Sequence, residues 1–206
     1  EYLVKEHQLL GGVLPQYERM FTEAMDSAEQ HLWKNVTVVP HAPSLSVVVS
    51  SMGHGRSQVS LEHLACFSGG MMALGSRIVP DRRHYLNIAR MTTETCYWGY
   101  NSSLTGLGAE ALEFYHPQDK DMYRVVTEAD GTRHRGPPVG DPFVGVRYIW
   151  HEDYRNRPEV IESVLYMWRT TGDPVWQERG WQMFASWMTH LSLIHISEPT
   201  RPERIS

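Results

Sequence analysis

The sequence is poor in cysteine, in long apolar runs and in surplus positive charge, and each shortage closes a class of function. Cys66 and Cys96 are the only cysteines, and without a C-x-x-C spacing they make a poor metal site. Two such residues leave three readings open: buried inert thiols, a redox pair or one disulfide. The longest apolar stretches, such as SLSVVVSSM, are far too short to cross a bilayer. A formal net charge of -5, with Lys and Arg scattered, provides no basic stripe, so nucleic acid is excluded as the expected partner. No initiator Met and no charged-then-apolar leader stand at Glu1, so any signal or anchor is expected upstream.

What is present is the material of a core: 41% of the 206 residues are hydrophobic, enough for a sizeable interior and against disorder. Residues 2–10 are amphipathic and stop at Gly11-Gly12, which predicts the end of a helix. Pro15 opens a second helix in which Tyr17, Met20, Phe21, Ala24, Met25, Ala28 and Leu32 form one apolar face. VTVV and LSVVVS, parted by Pro40 and Pro43, predict two short strands. Helical character returns around LEHLACFSGGMMALGS and from Arg82 to about Tyr97. MYRVVTEADGTRHR predicts a hairpin turning at Asp130-Gly131. Two more helices are expected at 158–171 and 174–189, parted by Gly172-Asp173. Helices in short-looped pairs, with small β-hairpins in the loops, favour an all-α domain of stacked helical hairpins over a parallel sheet.

The last stretch is different. LSLIHISEPTR breaks the helical period and resembles the translation of a sequencing adapter, so residues 191–206 are expected to be a non-native tail and 1–190 a fragment of one domain.

Three places could carry chemistry. In RNRPEVIESVLYMWRTTGDP, Pro158 suits the first turn of a helix and Glu159 sits at the positive end of its dipole. At 100° per residue Glu159, Glu162, Tyr166 and Arg169 share one face, and Ile161, Val164, Leu165 and Trp168 are expected to face the core. Taken alone, that pattern is explained by capping of a solvated helix. In EHLACFSGGMMALG, His63 lacks a second ligand pair and reads as a hydrogen-bonded core residue, and Gly69-Gly70 as a close packing contact. TGLGAE, ending at Glu110, reads as a turn followed by a helix start. Two N-x-S/T sequons, at Asn35 and Asn101, tilt the chain towards an oxidising lumen.

In order, EYL, EHLACFSGGMMALG, CYWGYNSSLTGLGAE and NRPEVIESVLYMWRTTGDPVW resemble the class I α-1,2-mannosidases, glycoside hydrolase family 47, from Glu1 to about His190. The resemblance implies a partial (α/α)7 toroid of helical hairpins. It also implies that Glu159 is the base activating the attacking water and that Glu110 is an acid of the active-site floor. Glu162 would hold waters around a bound calcium, His63 and Arg157 would line the terminal-mannose pocket, and Cys66 and Cys96 would form the family's disulfide. The implied activity is inverting, Ca2+-dependent removal of α-1,2-linked mannose from high-mannose N-glycans of glycoproteins in the secretory pathway, Golgi, endoplasmic reticulum or beyond. An inverting pair needs one acid and one base, roughly 6.5–9.5 Å apart. The family's upstream acids and its calcium-binding threonine match no residue here, which predicts an inactive chain. Ala109 stands where a proline is common, and Asn156 where an apolar residue usually precedes Arg-Pro-Glu. The alternative is a lectin-like family member that binds mannose-rich glycoproteins in quality control; retention of Glu110, Glu159 and His63 favours the enzyme.

Overall fold

The computed structural model describes residues 1–36, 45–51, 57–114, 125–127, 133–135, 146–151 and 153–191. Helix α1 (Tyr2–Leu9) turns through Gly11 and Gly12 into α2 (Pro15–His31), with Pro15 in the first turn. A proline is tolerated there because that turn has no intrahelical acceptor for an N–H. Strands β1 (Trp33–Val36) and β2 (Leu45–Val48) pair antiparallel, followed by the small ladder of β3 (Ser50–Ser51) and β4 (Ser57–Gln58). Strand β5 (Ser60–Glu62) leads through a 3-10 turn at His63–Cys66 into α3 (Phe67–Ile78), and α4 (Tyr85–Asn101) returns beside it. Strand β6 (Ala111–Phe114) lies between β5 and β9 (Val146–His151) in a three-stranded antiparallel sheet. Between them β7 (Val125–Thr127) and β8 (Arg133–Arg135) pair as a hairpin, whose expected turn at Asp130-Gly131 lies outside the described residues. The chain then forms the pair α5 (Glu159–Thr171) and α6 (Val175–His190).

The joint between α5 and α6 shows how the local sequence sets the pairing. Gly172 takes φ 71°, and its N–H returns to Trp168 O at 2.8 Å. A Cβ would be strained in that left-handed conformation, so glycine is the favoured stop. Asp173 Oδ1 then accepts the Val175 N–H at 3.1 Å, satisfying one of the free donors of the next helix.

Two clusters hold these elements. The larger packs Val4, Phe21, Met72, Tyr85, Ala89, Val160, Val164, Met167 and Trp176 between the helices, with α3 in the middle against α4 and α5. The smaller joins the strands through Val36, Leu45, Val47, Leu112 and Phe114. The helix pairs are those expected, and of the expected strand VTVV only Val36 is described, at the end of β1, with residues 37–39 outside the described residues; four features differ. TGLGAE is followed by strand β6, not by a helix. Leu112 and Phe114 alternate into the smaller core, and sheet pairing on both sides satisfies the backbone. Leu61 and Glu62, expected in a helix, lie in β5. On α5 the buried stripe is Val160, Ser163, Val164 and Met167, whereas Ile161 and Leu165 are exposed. Polar Ser163 is buried because α3 crosses there, a tertiary contact that helical periodicity does not encode. On α2 only Phe21 is fully buried, and Met20 and Ala24 face outward.

Candidate active site

The site forms where β5, β6 and the start of α5 meet the end of α4. The N–H of His63 donates to Glu110 O at 2.9 Å, which ties the first residue of the 3-10 turn to the residue that opens β6. The His63 ring, 4% exposed, lies with Nδ1 at 3.2 Å from Glu159 Oε2 and Nε2 at 2.5 Å from Tyr100 Oη. Glu110 is engaged at both oxygens by Arg157 Nε, at 2.8 and 2.9 Å, and Arg155 lies 3.9 Å away. Glu159 thus meets the imidazole itself, whereas Glu110 is tied to the His63 backbone and turns its carboxylate to Arg157; both acid side chains are largely buried.

Two constraints hold this arrangement. A disulfide joins Cys66 to Cys96, with Cα atoms 6.0 Å apart. Cys66 closes the 3-10 turn that His63 begins, and Cys96 is one helical turn before Tyr100, so one crosslink sets the spacing of both hydrogen-bonding rings. Beneath them Ser163 Oγ donates to Cys66 O at 2.6 Å and accepts the Gly70 N–H at 2.8 Å, fastening α3 to α5. At Gly108 a Cβ would come within 2.6 Å of Tyr100 Cδ2, so the backbone leading to Glu110 can lie on that ring only without a side chain.

Burial pulls the His63 imidazole below its ordinary range, against the opposing pull of the Glu159 carboxylate. Burial likewise pushes the Tyr100 phenol far up, aided by its neighbour Tyr154. The hydrogen bond to Glu110 raises Arg157 further above its usual value. Glu162 is raised by partial burial and by the nearby Glu1 carboxylate. It stands apart from the cluster, with Lys5 4.0 Å away and its side chain 36% exposed.

Two hollows share Arg157 as a wall. A groove of about 490 Å³ exposes Glu110 with Glu62, Trp150, Arg155 and Arg157. A cavity of about 220 Å³ on the other side of Arg157 is walled by Tyr100, Tyr154, Phe184 and Trp187. Between them Asn156 adopts φ 54° and accepts a hydrogen bond from Trp187 Nε1 at 2.8 Å. Asparagine is among the few residues that visit that region readily, which gives the departure at this position a physical reason. The sequence brings forward Glu110, Glu159, His63 and Arg157; it does not single out Tyr100, Tyr154 or Ser163. Tyr100 lies inside the quoted CYWGYNSSLTGLGAE, but among ten tyrosines only its spacing of four from Cys96 could have marked it. Asn35 on β1 and Asn101 at the end of α4 are both exposed.

With this geometry in hand, the comparison with known proteins is decisive: the glycosyl hydrolase family 47 profile matches residues 1–196. The chain belongs to that family. It is 31% identical to mannosyl-oligosaccharide 1,2-alpha-mannosidase IC of Homo sapiens over 185 residues, 89% of this chain and 25% of the relative. It is 28% identical to the endoplasmic reticulum mannosyl-oligosaccharide 1,2-alpha-mannosidase of Homo sapiens, over 98% of this chain and 26% of that protein. An alpha-1,2-mannosidase from Trichoderma reesei superposes with a TM-score of 0.70 at 24% identity, over 90% of this chain and 35% of that structure. The helix pairs are thus an arc of the (α/α)7 barrel of family 47. The chain spans about a quarter to a third of the length of these relatives.

Proposed function

We propose that this chain is a segment of an inverting exo-α-1,2-mannosidase that trims high-mannose N-glycans, with Glu159 as general base and Glu110 on the floor of the sugar site. The observation that carries the reading is that Glu159 meets the His63 ring while the Glu110 backbone is tied to His63 and its carboxylate to Arg157, in a chain whose relatives are named for that activity. In the proposed reaction Glu159 removes a proton from the attacking water as the glycosidic bond breaks, while a second carboxyl group protonates the leaving oxygen. Arg157 occupies both oxygens of Glu110, which suits a fixed negative charge against the developing oxocarbenium ion better than it suits a proton donor. The proton donor is therefore assigned to a part of the barrel outside these residues. His63 and Arg157 are proposed to line the sugar pocket.

A Ca2+ ion is proposed for the complete barrel, but the described residues do not form its shell. Calcium takes six to eight oxygens. Glu110 faces Arg157, Glu159 shares an oxygen with His63, and Glu162 lies apart from both, beside Lys5. Among the described residues the cluster of ligand atoms within 4.8 Å of one another is Asp26, Glu29 and His84, an exposed set in which Arg82 forks onto Asp26 and His84 pairs with Glu29. Glu162 is left as an outer-shell contact at most. A lumenal location is supported by the Cys66–Cys96 disulfide. Among the described residues no helix is long and apolar enough to cross a membrane.

Two measurements test the reading. Purified chain 1–206 is expected to release no mannose from an α-1,2-mannobiose substrate and to show no calcium-dependent rise in melting temperature. Within an intact barrel carrying this segment, Glu159→Gln is expected to lower kcat by about 10³-fold, the scale of one general base. Turnover by the isolated chain, or an intact Glu159→Gln enzyme of normal rate, overturns the assignment of roles.

A further inference from the structure

The groove that exposes Glu110 extends over a sheet face that no step of the proposed hydrolysis uses. Strands β5 and β6 pair Ser60 with Glu113, Leu61 with Leu112 and Glu62 with Ala111. Opposed residues share a face, so Leu61 and Leu112 turn to the smaller core and the other four to the far side. On β9 the ladder steps from Ile149, opposite Leu112, to His151, opposite Ala111, which leaves Trp150 as the extra residue of a β-bulge. A bulge re-aims the side chain it carries. Trp150 lines the groove with Ser60, Glu62 and Ala111, is 51% exposed, and donates its Nε1–H to Glu113 Oε2 at 3.1 Å. We propose that Trp150 is a specificity-determining residue of the proposed mannosidase: with Glu62 and Arg155 it holds the mannose unit next to the one removed.

These side chains suit a neutral ring that carries hydroxyls. The indole supplies a broad apolar surface for the C–H face of a hexose. Among the described residues the Glu62 carboxylate has no hydrogen-bond donor, so both its oxygens can accept from hydroxyls. Arg155 donates its Nε–H to Asp153 Oδ2 at 2.6 Å and stands 3.9 Å from Glu110 Oε1. Its position is therefore fixed, while its terminal N–H groups have no acceptor in hydrogen-bonding range among the described residues. The charges in the groove are balanced, Glu62 and Glu110 against Arg155 and Arg157. An anion would meet the acids and a cation the arginines, whereas a hydroxyl donates to one kind and accepts from the other.

The backbone sets this face beside the hydrolytic residues. His151 O accepts the Glu110 N–H at 3.0 Å, so Trp150 is one residue from the strand position that holds Glu110. Glu110 and Arg157, proposed to meet the terminal sugar, line the same groove. Its volume of about 490 Å³ lies in the range of pockets that take ligands larger than one hexose. A glycan whose terminal unit lies on Glu110 and Arg157 thus has its next unit over small Ser60 and Ala111, against Trp150.

The identity of the sugar rests on the proposed mannosidase reading, but the test involves no turnover. Saturation-transfer NMR of the full chain 1–206 with methyl α-1,2-mannobioside reports which ring of the disaccharide lies against protein protons. Transfer is expected to be strongest to the mannose that carries the methyl group. In Trp150→Ala the dissociation constant of the disaccharide is expected to rise about fivefold. Trp150→Phe keeps an aromatic face and is expected to restore most of the affinity. If Trp150→Ala does not fold, Glu62→Ala decides: binding weakened about threefold supports the proposal, and unchanged binding overturns it. No transfer in the wild type, transfer confined to the other ring, unchanged affinity in Trp150→Ala, or equal affinity for methyl maltoside likewise overturns it. Binding as stated, with no mannose release by an intact barrel carrying this segment, counts against the hydrolytic reading alone. Release by such a barrel, with affinity indifferent to Trp150, counts against this proposal alone.

Discussion

At Ser163 a single hydroxyl joins two helices: it donates to Cys66 O and accepts from Gly70 N, with no exposed surface of its own. Removing it strands a buried amide and weakens a buried carbonyl, each costing about 1–3 kcal/mol. Ser163→Ala is expected to lower stability by about 2 kcal/mol, read as a lower urea midpoint at unchanged slope. His63 sets a second expectation. Its folded pKa lies below the ordinary 6.5, so beneath pH 6.5 the unfolded chain binds a proton that the folded chain refuses. Stability is therefore lost as pH falls from 6.5, by at most about 1.4 kcal/mol per pH unit. Glu162, raised in the fold, contributes the opposite slope at lower pH. The His63 effect is the difference between wild type and His63→Asn in urea titrations across pH 5–7, and parallel curves would contradict it. Sequence alone named Glu110, Glu159, His63 and Arg157 because they lie in motifs with fixed spacing. It could not name Ser163 or Tyr154, because their partners are set by helix crossings and by a loop whose contacts have no period.

At the scale of elements, the sequence was legible where punctuation is strong. Pro15, Gly11-Gly12 and Gly172-Asp173 mark helix ends that the structure keeps to within a residue or so. It misled where one element must serve two neighbours. Ala111–Phe114 follows a turn that suits a helix, yet pairing with both β5 and β9 makes it a strand. Helix α5 has acids at 159 and 162 and apolar residues at 161, 165 and 168, but the stripe between them is the one that meets α3. The disulfide belongs to this scale too, since it closes a loop containing all of α3 and most of α4. For a loop of 30 residues the chain-entropy estimate is about 3–4 kcal/mol. Reduction, or Cys66→Ala with Cys96→Ala, is expected to destabilise the chain by that amount in urea. A change below about 1 kcal/mol would mean that the reduced unfolded chain keeps the hairpin together.

Across the whole molecule, apolar side chains line two sides of α6 and only one is covered. Trp176 and Met183 enter the core, while Trp181 and Phe184 remain 64% and 46% exposed, their rings tilted against each other with centroids 5.5 Å apart. Ile161 and Leu165 of α5 and Met188 of α6 add to the exposed apolar surface. Within this chain, nothing among the described residues covers this surface. Exposed apolar patches of that kind drive self-association. The chain is expected to sediment as oligomers at micromolar concentration. Trp181→Gln with Phe184→Glu is expected to shift it towards monomer and leave the far-ultraviolet helical signal unchanged, because neither side chain enters the core. A wild-type chain that sediments as a single monomer across the same range would show that these rings are tolerated in water, and that the arc needs no neighbour to cover them.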